Sequence, residues 1–161
     1  VQYDLSSFED RIGWASGFGV IANYTLQDFS GGSVVDSTSG RGEQVLGDVS
    51  IPRGLLDFSE NAYNLTAFYE KYGISTRLTY QYRPAWLNAI NLSNPDQDRF
   101  WDERASLDFS FRYAQNENIT YFLDANNLTD EFGRRYNGNT NNVYEVEGFG
   151  QSYLAGIRVS F

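Results

Sequence analysis

Apolar and polar residues alternate strictly along several segments of this chain. In residues 74–83, Ile, Thr, Leu, Tyr and Tyr occupy the even positions, and Ser, Arg, Thr, Gln and Arg occupy the odd positions. Successive side chains of a strand point to opposite faces, so this pattern predicts a β-strand with one apolar and one polar face. About seven segments share the pattern: residues 1–8, 17–27, 62–70, 74–83, 104–113, 119–126 and 150–161.

The connections between these predicted strands alternate in length. Three are short, at residues 9–16, 69–73 and 114–118, and three are long, at residues 30–60, 84–102 and 128–148. If consecutive strands are antiparallel, every long loop lies at one end of the sheet and every short turn at the other. Outer-membrane barrels show this asymmetry between their two ends.

Alternation alone also fits a soluble sandwich or barrel, whose apolar face points inward. Charges in mid-strand and aromatic residues at strand ends instead favour a membrane barrel, whose apolar face meets lipid and whose polar face lines a lumen. The charged positions are Arg77, Arg83, Arg104, Arg112 and Arg158, matched by Glu70, Asp108 and Asp124, and the aromatic ends include Tyr80, Tyr82, Phe111 and Tyr113. We therefore predict an all-β fold, an antiparallel transmembrane β-barrel.

Composition narrows the functions that this chain can have. The net charge of −9 argues against nucleic acid as a partner, because such a binder needs a basic footprint. His and Cys are both absent, which removes imidazole bases, imidazole ligands and thiolates. We therefore expect no enzyme activity, no metal site and no cofactor. The aromatic content of 17% fits the girdles of a membrane barrel.

Four stretches resemble the C-terminal barrel portion of the TonB-dependent outer-membrane receptor and transporter family. They are GFGVIANYT at residues 17–25, YNLTAFYEKYG at 63–73, DANNLTDE at 124–131 and GQSYLAGIRVSF at 150–161. The most specific is the Asn-Leu-Thr-Asp block followed by a strand that ends on Phe161. Their order and spacing also match, so the resemblance covers essentially the whole chain.

The resemblance implies that residues 1–161 form about the last seven strands of a plugged, 22-stranded barrel, with the plug domain absent from this stretch. It implies energy-coupled import of a scarce ligand, such as a siderophore complex or an oligosaccharide, across the outer membrane of a Gram-negative bacterium. The expected partners are outer-membrane lipid, a small-molecule ligand and the TonB energy-coupling complex, the last reached through the missing N-terminal part. The barrel-assembly machinery would recognise a terminal signal at Tyr153, Gly156, Val159 and Phe161.

Seven residues are candidate ligand contacts. Guanidinium groups suit carboxylates and phosphates, so the lumenal charges could hold an anionic ligand, although they could equally form a structural network. Two tryptophans of the second long loop could stack on a sugar ring, or could belong to an interfacial aromatic belt. The candidates are Arg77, Arg83, Trp86, Trp101, Arg104, Asp108 and Arg112.

Two other classes of protein fit parts of the pattern. A small autonomous outer-membrane barrel with an adhesin or structural role would need a further strand, which residues 32–54 could supply. A soluble β-barrel that binds a small apolar ligand would instead turn the apolar faces inward, and it would not partition into detergent.

Overall fold

The computed structural model describes residues 1–28, 56–91 and 94–161, and these are mainly antiparallel β-sheet. The strands are β1 (Gln2–Asp4), β2 (Phe18–Leu26), β3 (Asn61–Lys71), β4 (Ile74–Arg83), β5 (Trp86–Ala89), β6 (Arg99–Trp101), β7 (Arg104–Ala114), β8 (Ile119–Asn126), β9 (Phe132–Asn137), β10 (Val143–Gly148) and β11 (Ser152–Val159). One short helix, α1 (Glu9–Ile12), and 3-10 turns at Ser6–Phe8, Gly13–Gly17 and Pro95–Gln97 complete the described elements. None of the helices in these ranges is long and apolar enough to cross a bilayer.

Seven strands form one sheet in the order β1-β2-β3-β4-β7-β8-β11, and all its pairs are antiparallel. The all-β class is therefore confirmed, and a strand lies in each of the seven predicted segments. The first is shorter than predicted, because it covers only Gln2–Asp4 and Ser6–Phe8 forms a 3-10 turn. The sheet is open, with β1 at one edge and β11 at the other. Residues 32–54, which could supply the further strand that a small autonomous barrel would need, lie outside the described residues, as does most of the first long loop.

The pairing register brings the predicted apolar positions together on one face. A single row crosses all seven strands through Tyr3, Val20, Ala67, Leu78, Phe109, Ala125 and Tyr153. Large side chains on this face stay exposed, by 48% at Leu65, 42% at Leu78 and 60% at Ile157. No described element covers the face, so the sheet has an extensive apolar surface without a partner layer.

The opposite face of the sheet is polar and carries two aromatic rings that lie over glycines. Phe68 covers Gly19 on the neighbouring strand, and Phe122 covers Gly156. Phe68 is 8% exposed, so its ring is buried although it lies on the polar face of the sheet. Each glycine supplies the space that its partner ring occupies.

The second and third long connections contain strands that the alternation did not predict. They contain a second sheet of four strands in the order β10-β9-β6-β5. The two sheets have the same order, because β10, β9, β6 and β5 are the neighbours in sequence of β11, β8, β7 and β4. Each strand of the smaller sheet therefore lies next in the chain to the corresponding strand of the larger one. Pro84 and the left-handed residues Asn127 and Asp130 interrupt the alternation between the two sheets, which is why the pattern alone did not extend the strands.

The short connection before β2 folds around the one lysine of the chain. Lys71 Nζ donates hydrogen bonds to Glu9 Oε1 at 2.8 Å, to the Gly13 carbonyl at 2.9 Å and to Ser16 Oγ at 2.6 Å. These bonds attach α1 and the following 3-10 turn to the end of β3. The first short connection is therefore fixed against the end of β3.

Candidate functional site: a groove between the two sheets

A groove of about 630 Å³ lies on the polar face where the seven-stranded sheet passes into the four-stranded one. Side chains from β3, β4, β7 and β8 line it, together with the first residue of β5. Its polar lining includes Asn64, Gln81, Arg83, Arg104, Asp108 and Asn126. The lining combines two cations, one carboxylate and several amides.

Two arginines form one end of the groove. Arg83 of β4 and Arg104 of β7 are directly opposite partners in the sheet. Arg83 donates from Nε to Ser59 Oγ and from Nη2 to the Asp57 carbonyl, both at 2.7 Å, and its guanidinium lies 3.7 Å from the centre of the Trp86 ring. Arg104 is exposed and has no hydrogen bond or ion pair with any of the described residues. Arg83 is thus held in place by contacts, whereas Arg104 has none of this kind with the described residues.

A carboxylate lies further along the groove. Asp108 is four residues beyond Arg104 on β7, which corresponds to about 13 Å along a strand. Its Oδ1 accepts the backbone N–H of Asn127 at 2.9 Å, and its Oδ2 accepts Gln81 Nε2 at 3.4 Å. The groove therefore has a cationic end and a hydrogen-bonding end.

Asn127 joins the elements around the groove. Its backbone φ is 56°, in the left-handed region that Asn tolerates better than most residues. Its side-chain Nδ2 donates to the carbonyls of Glu131 and Gly150, both at 3.1 Å, and its Oδ1 accepts the Glu131 N–H at 2.8 Å. The sequence analysis assigned no role to this residue, but an Asn that directly follows a predicted strand is itself a turn signal.

Both candidate tryptophans belong to a stacked row on the four-stranded sheet. Trp86 and Trp101 are opposite partners, with ring centres 5.7 Å apart and an interplanar angle of 22°. Arg135 of β9 lies next in the row, 3.8 Å from the centre of the Trp101 ring, and pairs with Glu145 at 2.7 Å. Trp86 lines the groove and Trp101 does not. Much of the ring surface of both residues already contacts protein groups.

Two further candidate arginines lie outside the groove and have carboxylate partners. Arg77 contacts Glu70 at 2.7 Å, and Arg112 contacts both oxygens of Asp124 at 2.7 and 2.8 Å. The structure therefore gathers Arg83, Trp86, Arg104 and Asp108 in one groove and separates them from Arg77, Trp101 and Arg112.

The four residues of the predicted terminal signal do not share one face. Tyr153 and Val159 lie on the apolar face and are exposed, whereas Gly156 lies on the polar face beneath Phe122. Phe161 follows the end of β11 and is fully exposed.

Tyr136 is a buried titratable group of the four-stranded sheet. It stacks on Phe100 with ring centres 5.4 Å apart and is 8% exposed. Burial raises the pKa of its hydroxyl, the charge of Asp102 raises that pKa further, and Arg134 opposes the shift. Within the described ranges, no three acidic side chains gather closely enough to hold a metal ion.

Comparison of the chain with protein-family models, curated proteins and solved structures finds no match. The resemblance to TonB-dependent receptors therefore stays a prediction from the sequence.

Proposed function

We propose that this chain forms the C-terminal part of the barrel wall of a TonB-dependent outer-membrane transporter, which imports a scarce ligand by energy-coupled transport. The observation that carries the proposal is the continuous apolar face of the seven-stranded sheet, which no described element covers. Monomeric soluble proteins rarely expose apolar patches larger than a few hundred Å². Lipid is a partner that would cover such a face along all seven strands at once.

The strand lengths support a lipid environment. The strands β2, β3, β4 and β7 contain 9, 11, 10 and 11 residues. A tilted β-strand needs about 9–11 residues to cross the hydrocarbon core of a bilayer. The four-stranded sheet would then extend beyond the membrane at the end of the long loops.

The open edges of the sheet support a larger barrel. In a bilayer, the unpaired N–H and C=O groups of an edge strand cost several kcal/mol each, so membrane sheets close into barrels. Both β1 and β11 would therefore need further strand partners. A wide, plugged transporter barrel supplies them, and its polar inner face would present the groove to an incoming ligand.

A pair of arginine substitutions on adjacent residues of the central strand β4 tests the orientation. Leu78 lies on the apolar face, and Thr79 lies on the polar face opposite Asp108. Leu78→Arg should cost about 2–4 kcal/mol if the residue is near the bilayer midplane, and it should strongly reduce the amount of assembled barrel in outer membranes.

Thr79→Arg is the matched control, because the new charge would face the lumen and an existing carboxylate. It should assemble close to the wild-type level. Equal assembly of the two variants, measured by heat-dependent migration on gels, would show that the apolar face does not meet lipid.

A further inference from the structure

We propose that the groove recognises a polyhydroxylated ligand that carries an oxyanion, with the oxyanion held between Arg83 and Arg104. This inference rests on the proposed transport function, and it adds the chemical class of the ligand. The cationic end of the groove carries the argument, because two arginines without a carboxylate partner in the described ranges lie directly opposite each other there.

Four other arginines of the described strands are paired with carboxylates. Arg77, Arg112, Arg134 and Arg135 each contact an acidic side chain at 2.7 Å. Arg83 instead donates to a hydroxyl and a carbonyl, and no carboxylate in the described part of the chain pairs with Arg83 or Arg104.

These two arginines, which have no carboxylate partner in the described ranges, are directly opposite each other on β4 and β7. Like charges directly opposite in a sheet destabilise it. A structural network would avoid this arrangement, whereas an anion bound between the two side chains would offset the repulsion. The arrangement is therefore suited to a ligand that brings the negative charge.

The two guanidinium groups are suited to different parts of the recognition. Arg83 is held by two hydrogen bonds and by the Trp86 ring, so its position is set before the ligand arrives. Arg104 is exposed and can close onto the ligand. Planar guanidinium forks bind carboxylate, phosphate and sulfate oxygens with paired hydrogen bonds.

The rest of the groove is suited to hydroxyl groups. Asn64, Gln81 and Asn126 provide amide donors and acceptors, Ser106 provides a hydroxyl, and Asp108 provides an acceptor about 13 Å from Arg104. The volume of about 630 Å³ lies within the range of small-molecule sites. An anionic oligosaccharide has this combination of one charged group and many hydroxyls.

The test uses the natural polypeptide that contains this chain, purified in detergent, and isothermal titration calorimetry. The probes are a short hexuronic-acid oligosaccharide, the same oligosaccharide with its carboxyls reduced to alcohols, and sulfated and phosphorylated forms of the reduced compound. At least one anionic probe should bind ten-fold or more tightly than the neutral one, and the tightest of the three identifies the oxyanion.

Arg104→Gln should weaken binding of that anionic probe by about 10- to 100-fold, because a hydrogen bond to a charged group contributes about 1.5–3 kcal/mol. Its affinity for the neutral probe should change less than two-fold. Arg158→Gln removes the same charge from the polar face of β11, outside the groove, and should leave both affinities unchanged. Without ligand, Arg104→Gln should unfold at a slightly higher temperature than wild type, because it relieves the repulsion from Arg83.

The proposal is overturned if none of the anionic probes binds more tightly than the neutral one. It is also overturned if Arg104→Gln and Arg158→Gln weaken binding equally, because bulk charge would then explain the effect. The assembly test at Leu78 and Thr79 is independent of this titration. If assembly behaves as expected while the titration fails, the ligand class is wrong and the transporter proposal stands.

Discussion

Adding one methyl group at Gly19 should test how the polar face of the sheet is packed. A Cβ at this position would lie 2.2 Å from Phe68 Cζ and 2.7 Å from Phe68 Cε1. Phe68 is directly opposite Gly19 and only 8% exposed, so its ring has little room to move aside. Gly19→Ala should therefore strain the ring or push it out of its place between the strands.

The size of the effect follows from packing energetics. Forcing an extra carbon into a filled site costs about 1–3 kcal/mol. In a Phe68→Ala background the ring is gone, and alanine should then be better than glycine in a strand by about 0.5–1 kcal/mol. The same substitution at Gly19 should change sign between the two backgrounds, and the two effects should differ by about 1.5–4 kcal/mol.

The assay is urea-induced unfolding in detergent micelles, with all four proteins of the cycle measured together. Gly156→Ala is the comparison variant. A Cβ there would lie 2.6 Å from Phe122 Cζ, but Phe122 is more exposed than Phe68 and can swing away, so the cost should be smaller. If Gly19→Ala has the same effect with and without the Phe68 ring, the two residues are not coupled and the packing argument fails.

Two further predictions concern the groove and the four-stranded sheet. Asn127→Ala should destabilise the fold by about 2–4 kcal/mol, since it removes three side-chain hydrogen bonds and places Ala in the left-handed region. Asn127→Gly should cost less, because glycine accepts that conformation. Urea titration measures both costs, and equal costs would exclude the conformational contribution. The raised pKa of Tyr136 means that its neutral form is favoured in the folded state, so its contribution to stability is fully present below the ordinary tyrosine pKa of about 10 and is lost as pH rises through the higher folded-state value. The thermal unfolding temperature should therefore fall less between about pH 9 and 11 in Tyr136→Phe than in wild type, a window set by the ordinary tyrosine pKa of about 10. Parallel declines in the two proteins would show that Tyr136 is not the titrating group.

The strands and their faces could be predicted from the sequence because the period of two is a local signal. In residues 74–83 and 104–113, the alternation assigns each residue to the apolar or the polar face, and the pairing of β4 with β7 confirms every assignment. The long-loop and short-turn ends followed from spacing alone. The faces were therefore predictable without any knowledge of which strand pairs with which.

The four-stranded sheet and the hydrogen bonds made by Asn127 were not predictable in the same way. Strands as short as β6, with three residues, carry too few positions to show a period. The short strands form because the longer strands hold them side by side, so they depend on tertiary structure and not on a local sequence signal. Asn127 acts through contacts with Glu131 and Gly150, and the second of these lies 23 residues away in sequence.

The cationic end of the groove depends on a register that the face pattern alone does not determine. A slip of two residues between β4 and β7 would keep every side chain on its own face and would place Arg83 opposite Asp102 or Ser106, which relieves the repulsion from Arg104. At the far end of the pair, Ala114 N donates to the Gly73 carbonyl at 2.8 Å, and Gly73 has a φ of 74°. A slip would break this contact. The register of this contact is the one that places two arginines opposite each other at the other end of the pair, an arrangement whose repulsion a bound anion would offset.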